Sequence, residues 1–217
     1  MNKLALGIID AQRGFMPANE GTRLNVPGFG ELPVDDGHTI VPNVNKLLTA
    51  YAMRGCVIFI TQDWHPRVTG HFNQNPNFTT TWPIHCVGGT PGAELHPEII
   101  VPGSIEIFRK GMEVLQRGED DQSYSGYNGS NEHGGLLGDR LKELGINQVA
   151  LGGLALDYCV GKTALDLRTK LDLEVVVAID ATRGIADESI ENMLDQFSQN
   201  NIQITQTNAL LAQLEAA

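Results

Sequence analysis

Short, continuously apolar runs recur along the chain: LALGIID (4 to 10), CVIFITQD (56 to 63), IEIFRK (105 to 110), QVALGGL (148 to 154), EVVVAID (174 to 180) and IQIT (202 to 205). Apolar runs that do not alternate with polar residues fit strands covered on both faces. Between them, 40 to 53, 134 to 144, 158 to 170, 187 to 199 and 207 to 215 space Leu, Val, Ile, Met and Ala at helical intervals. This alternation predicts an α/β fold of Rossmann-like type: three αβα layers around a mostly parallel, six-stranded sheet. At 217 residues the whole chain, 1 to 217, fits a single domain.

Two stretches break the pattern. Residues 16 to 38 are rich in Gly and Pro, and residues 64 to 103 combine Pro, Gly, His and Asn with both tryptophans. Loops this long in a compact domain usually carry function. In open α/β sheets, ligands bind beyond the carboxyl ends of the strands, so the residues at those ends are the candidates. They are Asp10, Asp63 and Lys110, and the fourth run leads through Ala155 to Cys159.

Composition narrows the chemistry. With 41% hydrophobic and 19% charged residues, and no apolar run near the roughly 20 that span a bilayer, a soluble globular protein without a membrane partner is expected. The opening MNKLALGIID lacks the apolar core of a secretory signal, so the expected location is cytoplasmic. A net charge of -11 argues against nucleic acid, whose binding is mostly phosphate neutralisation. A small-molecule substrate remains, and a homo-oligomer stays open. The cysteines Cys56, Cys86 and Cys159 match neither a disulfide framework nor a CxxC metal site, and are expected to be reduced.

Cys159, in GGLALDYCVGKTALDL, falls at a helix start, where unpaired N–H groups and the helix dipole stabilise a thiolate. A lone cysteine there is otherwise a small buried hydrophobe. Asp10 meets its loop in partly apolar surroundings that raise its proton affinity toward general-base work, or else it caps a turn. Lys110 is either a solvated strand end or a cation that steadies negative charge beside the acid and the thiol. Cys56, inside a strand, reads as structural. Cys86 reads as a packed thiol that points away from His85 in an extended segment.

In FITQDWHPRVTGHFNQNPNFTTTWPIHCVGG, Asp63 and His65 lie two apart on an extended segment and face one side, and His71 and His85 can fold back to join them. One carboxylate with two or three imidazoles suits a divalent transition metal: Zn, with Fe or Mn as alternatives. The other reading has the histidines merely bonding the loop. Trp82 offers either a flat wall for a ring-shaped ligand or ordinary core packing.

The blocks IIDAQRGFM, TQDWHP, WPIHCVGGTPGAELHP, FRKG and LGGLALDYCVGKTALDL, in this order, resemble the signatures of the isochorismatase-like cysteine hydrolases, in particular their bacterial nicotinamidase branch. The resemblance runs from about residue 4 to 185. It implies a catalytic triad of Asp10, Lys110 and Cys159, with Cys159 as nucleophile. It further implies Asp63, His65 and His85 as metal ligands, and Phe15 and Trp82 sandwiching the substrate ring. His71 stands where some relatives carry a ligating histidine and others a serine. A cis Leu154 to Ala155 peptide, with an oxyanion hole from the N–H groups of Ala155 and Cys159, is also implied. Leu156 stands where threonine is common, and Gln122 where an acid is common.

The implied activity is hydrolysis of nicotinamide, and of pyrazinamide, to the acid and ammonia through a thioester, within NAD salvage. Three rival readings have distinct signatures. A metal-bound hydroxide could attack directly; a related enzyme could take an aliphatic, carbamoyl or ureido amide; or a noncatalytic module could bind without releasing ammonia. A pure binder has no need of an acid, a lysine and a thiol at separate strand ends.

Overall fold

The structure, a computed structural model, describes residues 3–18, 27–103, 105–116 and 124–216. The strands are β1 (Leu4–Ile9), β2 (Val57–Asp63), β3 (Glu106–Lys110), β4 (Gln148–Leu154), β5 (Glu174–Arg183) and β6 (Gln203–Thr205). The α-helices are α1 (Val41–Met53), α2 (Leu137–Glu143), α3 (Gly161–Leu171), α4 (Asp187–Gln199) and α5 (Thr207–Ala216). The strands form one sheet in the order β3-β2-β1-β4-β5-β6, and every pairing is parallel. The expected α/β fold is therefore found, with all strand carboxyl ends on one edge.

Strand periodicity separates the core into two layers. Leu6 and Ile8 of β1 pack with Ile60, Ala150 and Val176 under Leu47, Leu48 and Leu210 of α1 and α5. Ala5 and Ile9 point the other way, packing with Phe59, Leu151 and Val177 under Leu141, Leu167 and Phe197 of α2, α3 and α4. Residues one apart on a strand thus feed opposite layers, which is why these runs are apolar throughout. Each fully buried Leu, Ile or Phe contributes about 1.5–3 kcal/mol of burial energy.

The sheet order reverses at β1: the chain steps outward to β2 and β3, then returns to pair β4 on the other side of β1. A crevice opens at such a reversal, beyond the carboxyl ends. Its two sides are the ends of β1 and β4. Gly153 allows them to converge: its φ is +118°, and a Cβ there would lie 1.9 Å from the Ile9 carbonyl oxygen.

Element limits differ from the sequence reading where local chemistry intervenes. The helix expected over 134 to 144 starts only at Leu137, because Gly134, at φ +81°, closes a turn first. Cys56 lies just before β2 and is partly exposed, rather than inside the strand. Gln122 lies outside the described residues. Among the described residues no helix is long and apolar enough to cross a membrane.

Candidate active site

Asp10 follows β1 directly, in the left-handed conformation at φ +44°. An aspartate tolerates this region better than most residues, and here neighbours hold it from both ends. Its N–H donates to the Thr61 carbonyl at 3.2 Å, and the Thr61 hydroxyl donates to its Oδ1 at 2.7 Å. Asp63 ends β2 in register with Lys110 at the end of β3. Gln12, fully buried, clamps the Asp63 backbone: its Nε2 donates to the Asp63 carbonyl and its Oε1 accepts from the Asp63 N–H, both at 2.8 Å.

Lys110 joins these strand ends. Its ammonium, 3% exposed as a residue, lies 2.8 Å from Asp10 Oδ2, donates to Asp63 Oδ1, and donates to the Cys159 sulfur at 3.3 Å. Oxygens of Asp10 and Asp63 and the Cys159 sulfur all fall within 4.8 Å of one another. Burial lifts the Asp10 carboxyl above its usual range; Lys110 opposes this and the Asp63 charge adds to it. For Asp63 burial also acts upward, but Lys110 and the neighbouring imidazoles prevail and hold it low. Burial alone would lower Lys110, yet Asp10, Asp63 and Cys159 together push it well above its usual value.

Cys159 sits differently from the expected first helical turn. Residues Leu156–Val160 form one wide π turn running straight into α3. The Val160 N–H donates to the Ala155 carbonyl, five residues back, at 3.0 Å. The Leu154–Ala155 peptide before it is cis. Nor is the resting sulfur poised as a thiolate. Burial pushes the thiol well above its usual value, Lys110 pulls it back, and the two carboxylates reinforce the rise. A neutral thiol beside an acid of raised proton affinity is a pair ready for proton transfer when substrate arrives.

The three histidines form a second group, their ligand nitrogens within 4.8 Å of one another. His65 stacks on His71 at 4.5 Å between ring centroids, and His85 approaches His65 edge-on at 4.9 Å. His65 Nδ1 lies 3.0 Å from the Gly111 carbonyl, and His85 Nδ1 lies 2.8 Å from that of Pro83. A carbonyl only accepts, so both Nδ1 atoms carry a proton and both Nε2 atoms are the ones left to face a ligand. Burial, reinforced by the neighbouring His65 ring, lowers His85 to about 3, which keeps it neutral. Asp63 Oδ2 stands 3.6 Å from His65 Nε2, so Asp63 borders both groups. Buried His65 Nε2 has no hydrogen-bond partner. Imidazoles whose Nδ1 atoms face backbone carbonyls, one with an unpartnered Nε2, beside an ionised carboxylate, fit a borderline divalent transition metal.

The pocket over these groups is lined by Cys159, Ala155, Asp63, His65, His71 and His85, with Phe15 and Trp82 as flat walls. Asp10 and Lys110 are buried and do not line it; Lys110 connects Asp10 to the Cys159 sulfur. Leu32, Val34, Tyr124, Tyr158 and Ile185 also line it and were not among the sequence candidates. Tyr124 accepts a hydrogen bond from Trp82 Nε1 at 2.9 Å, and Tyr158 meets Trp82 edge-on at 5.3 Å. Leu32 and Val34 bring the loop after residue 26 into the wall. A Leu-Pro-Val step in a Gly-rich loop was the available signal. Cys86 is packed, as read, but its φ of +44° makes it a turn residue rather than an extended one.

The chain is 34% identical to a nicotinamidase of Acinetobacter baylyi, covering 97% of this chain and 96% of the relative. It is 30% identical to the nicotinamidase/pyrazinamidase of Mycobacterium tuberculosis, over 92% of this chain and 97% of that protein. Among solved structures, the pyrazinamidase of Pyrococcus horikoshii in complex with zinc superposes with a TM-score of 0.75 at 34% identity, covering 94% of this chain and 99% of that one. The isochorismatase domain profile matches residues 5–209, and the chain belongs to the isochorismatase domain family.

Proposed function

We propose that this protein is a nicotinamidase that hydrolyses nicotinamide, and also pyrazinamide, to the carboxylic acid and ammonia. The observation that carries the reading is one aromatic-walled pocket shared by the Cys159 thiol, backed by Asp10 and Lys110, and three clustered imidazoles. An aliphatic or ureido amide uses neither the ring walls nor the imidazole group. A nicotinamidase from Acinetobacter baylyi and a zinc-bound pyrazinamidase are the similar proteins that support it.

His65, His85, Asp63 and His71 would hold one divalent transition metal, zinc in the first place and Fe or Mn otherwise. Such an ion, when bound, supplies a Lewis-acid point for a ring nitrogen. Phe15 and Trp82 hold the ring, placing the carboxamide carbon against Cys159. Asp10 takes the thiol proton as sulfur bonds to the carbonyl carbon, and the oxyanion is received by the N–H groups of Ala155 and Cys159. Each such donor is worth about 3–4 kcal/mol.

Asp10 then gives that proton to the amide nitrogen, the carbon–nitrogen bond breaks, and ammonia leaves the thioester. Water loses a proton to Asp10 and adds to the same carbon. The carbon–sulfur bond breaks, and the sulfur recovers the proton. Lys110 keeps its charge throughout and offsets whichever of Asp10 and Cys159 is anionic. As part of the same proposal, the reaction serves NAD salvage and runs in the cytoplasm.

The test is ammonia release from nicotinamide by metal-replete protein, before and after chelation and metal restoration, with benzamide as the ring-matched control. Chelator-sensitive ammonia from nicotinamide and little from benzamide supports the reading. No ammonia from metal-replete protein overturns it.

A further inference from the structure

We infer that Glu31 is a positioning residue that holds His85 in the metal-binding group by gripping the next peptide from the far wall of the pocket. The inference rests on the metal reading proposed above.

Glu31 is half-buried, next in sequence to Leu32, which lines the pocket. The backbone around it is zipped to the segment after β1: Gly30 N–H donates to the Met16 carbonyl and Leu32 N–H to the Gly14 carbonyl, both at 2.9 Å, and Val34 N–H to the Phe15 carbonyl at 3.0 Å. From this fixed base Glu31 Oε2 accepts the Cys86 N–H at 2.8 Å. A charged acceptor makes this one of the stronger kinds of hydrogen bond.

Two further observations show that the carboxylate has a built seat. A Cβ at Gly92 would fall 1.9 Å from Glu31 Oε2, and one at Gly14 would fall 3.0 Å from it. Two glycines therefore leave room for this group where any side chain would compete with it.

The gripped peptide lies between two of the histidines. Cys86 has φ +44°, a left-handed turn that a cysteine does not favour unaided. Its N–H goes to Glu31, and its carbonyl accepts the His65 N–H at 3.1 Å. The turn that follows His85 is thus tied on one side to Glu31 and on the other to the backbone of His65. Removing the Glu31 carboxylate frees the Cys86 N–H and lets the turn relax, which moves His85 relative to His65.

Zinc affinity of the metal-free protein, measured by competition with a chromophoric chelator, tests this independently of turnover. Glu31→Ala is expected to lose about 10- to 100-fold in zinc affinity, the usual effect of losing an outer partner of a ligand set. Glu31→Gln, which keeps an acceptor oxygen, should recover to within a few-fold of wild type. Gly92→Ala, which leaves Glu31 in place but displaces its carboxylate, should reproduce the loss, and it serves if Glu31→Ala does not fold. Wild-type protein that binds zinc, with Glu31→Ala or Gly92→Ala binding equally well, overturns the role of Glu31 alone. Wild-type protein that binds no zinc overturns both this role and the metal reading.

Discussion

The Lys110 ammonium stands 3.3 Å from the Cys159 sulfur while it also bridges Asp10 and Asp63. One cation thus neutralises two buried carboxylates and touches the thiol. Lys110→Met leaves both carboxylates without it, and removing one partner of a buried ionic group costs about 3–5 kcal/mol. Urea unfolding at pH 7 should show a loss of that size, together with loss of turnover. A variant as stable as wild type would mean that the carboxylates are neutralised in another way.

Cys159→Ala separates attack by sulfur from attack by a metal-bound hydroxide. Under the thiol mechanism the variant loses the nucleophile and turnover falls at least a thousandfold or so, while zinc affinity stays near wild type. Ammonia release from nicotinamide at more than a few per cent of the wild-type rate would sink the thioester route.

Acid stability follows from two buried histidines. Burial lowers His96, and its Nδ1 accepts the Glu98 N–H at 3.2 Å; His85 is lowered to about 3. Above the unfolded value of 6.5 neither state of the chain is charged at these rings, so pH changes nothing there. Below it the unfolded chain takes up protons that the folded rings refuse, and stability falls as pH drops. Each ring contributes a slope of up to about 1.4 kcal/mol per pH unit, persisting for His85 down toward about 3. Asp63, held below its usual carboxylate range, adds its loss only at lower pH. The raised carboxyls of Asp10 and Glu31 act in the opposite sense as pH falls, so the check is differential: in urea melts of metal-free protein from pH 7 to 4, His96→Gln should lose less stability on acidification than wild type. An unchanged slope in that variant would remove His96 from the account.

The chemistry at the strand ends was legible because a parallel sheet delivers every carboxyl end to one edge. Asp10, Asp63, Lys110 and Cys159 could therefore be brought together from the strand runs alone. Tyr124, Leu32 and Ile185 were not legible, since they reach the pocket from irregular segments whose partners no periodicity encodes. The thiol's resting state escaped for a related reason: the dipole argument is local, whereas burial and two carboxylates from other strands decide it. Cys86 was read as extended because nothing in WPIHCVGG announces a left-handed turn at a cysteine held by a distant glutamate.

Tyr124 tests the ring-binding wall. Its hydroxyl accepts the Trp82 Nε1–H at 2.9 Å, so Tyr124→Phe leaves the indole N–H without that acceptor while the ring stays in place. A hydrogen bond of this kind contributes about 1 kcal/mol, near a five-fold effect. The expected result is a several-fold rise in KM for nicotinamide with kcat little changed, because in the proposed mechanism Trp82 binds the ring in ground and transition states alike. A fall in kcat at unchanged KM would assign the hydroxyl to the reaction step instead.

Asp157, two residues before Cys159, ties the Cys159 turn to α4. Its carboxylate accepts the Ile185 N–H at 3.0 Å, the Ala186 N–H at 3.3 Å and the Ser189 hydroxyl at 2.5 Å. It thereby anchors the two residues that lead into α4 and sets Ile185 in the pocket wall. Asp157→Ala strips the acceptor from all three donors, and a lost anchor with unpaired donors costs about 2–3 kcal/mol. Asp157→Asn keeps one acceptor oxygen and should lose less than half of that. Because Ile185 moves with the anchor, KM for nicotinamide should rise in the same order, Ala above Asn above wild type. If stability falls in that order while KM stays fixed, the contact is a structural anchor alone, and the wall is positioned by packing against its other neighbours.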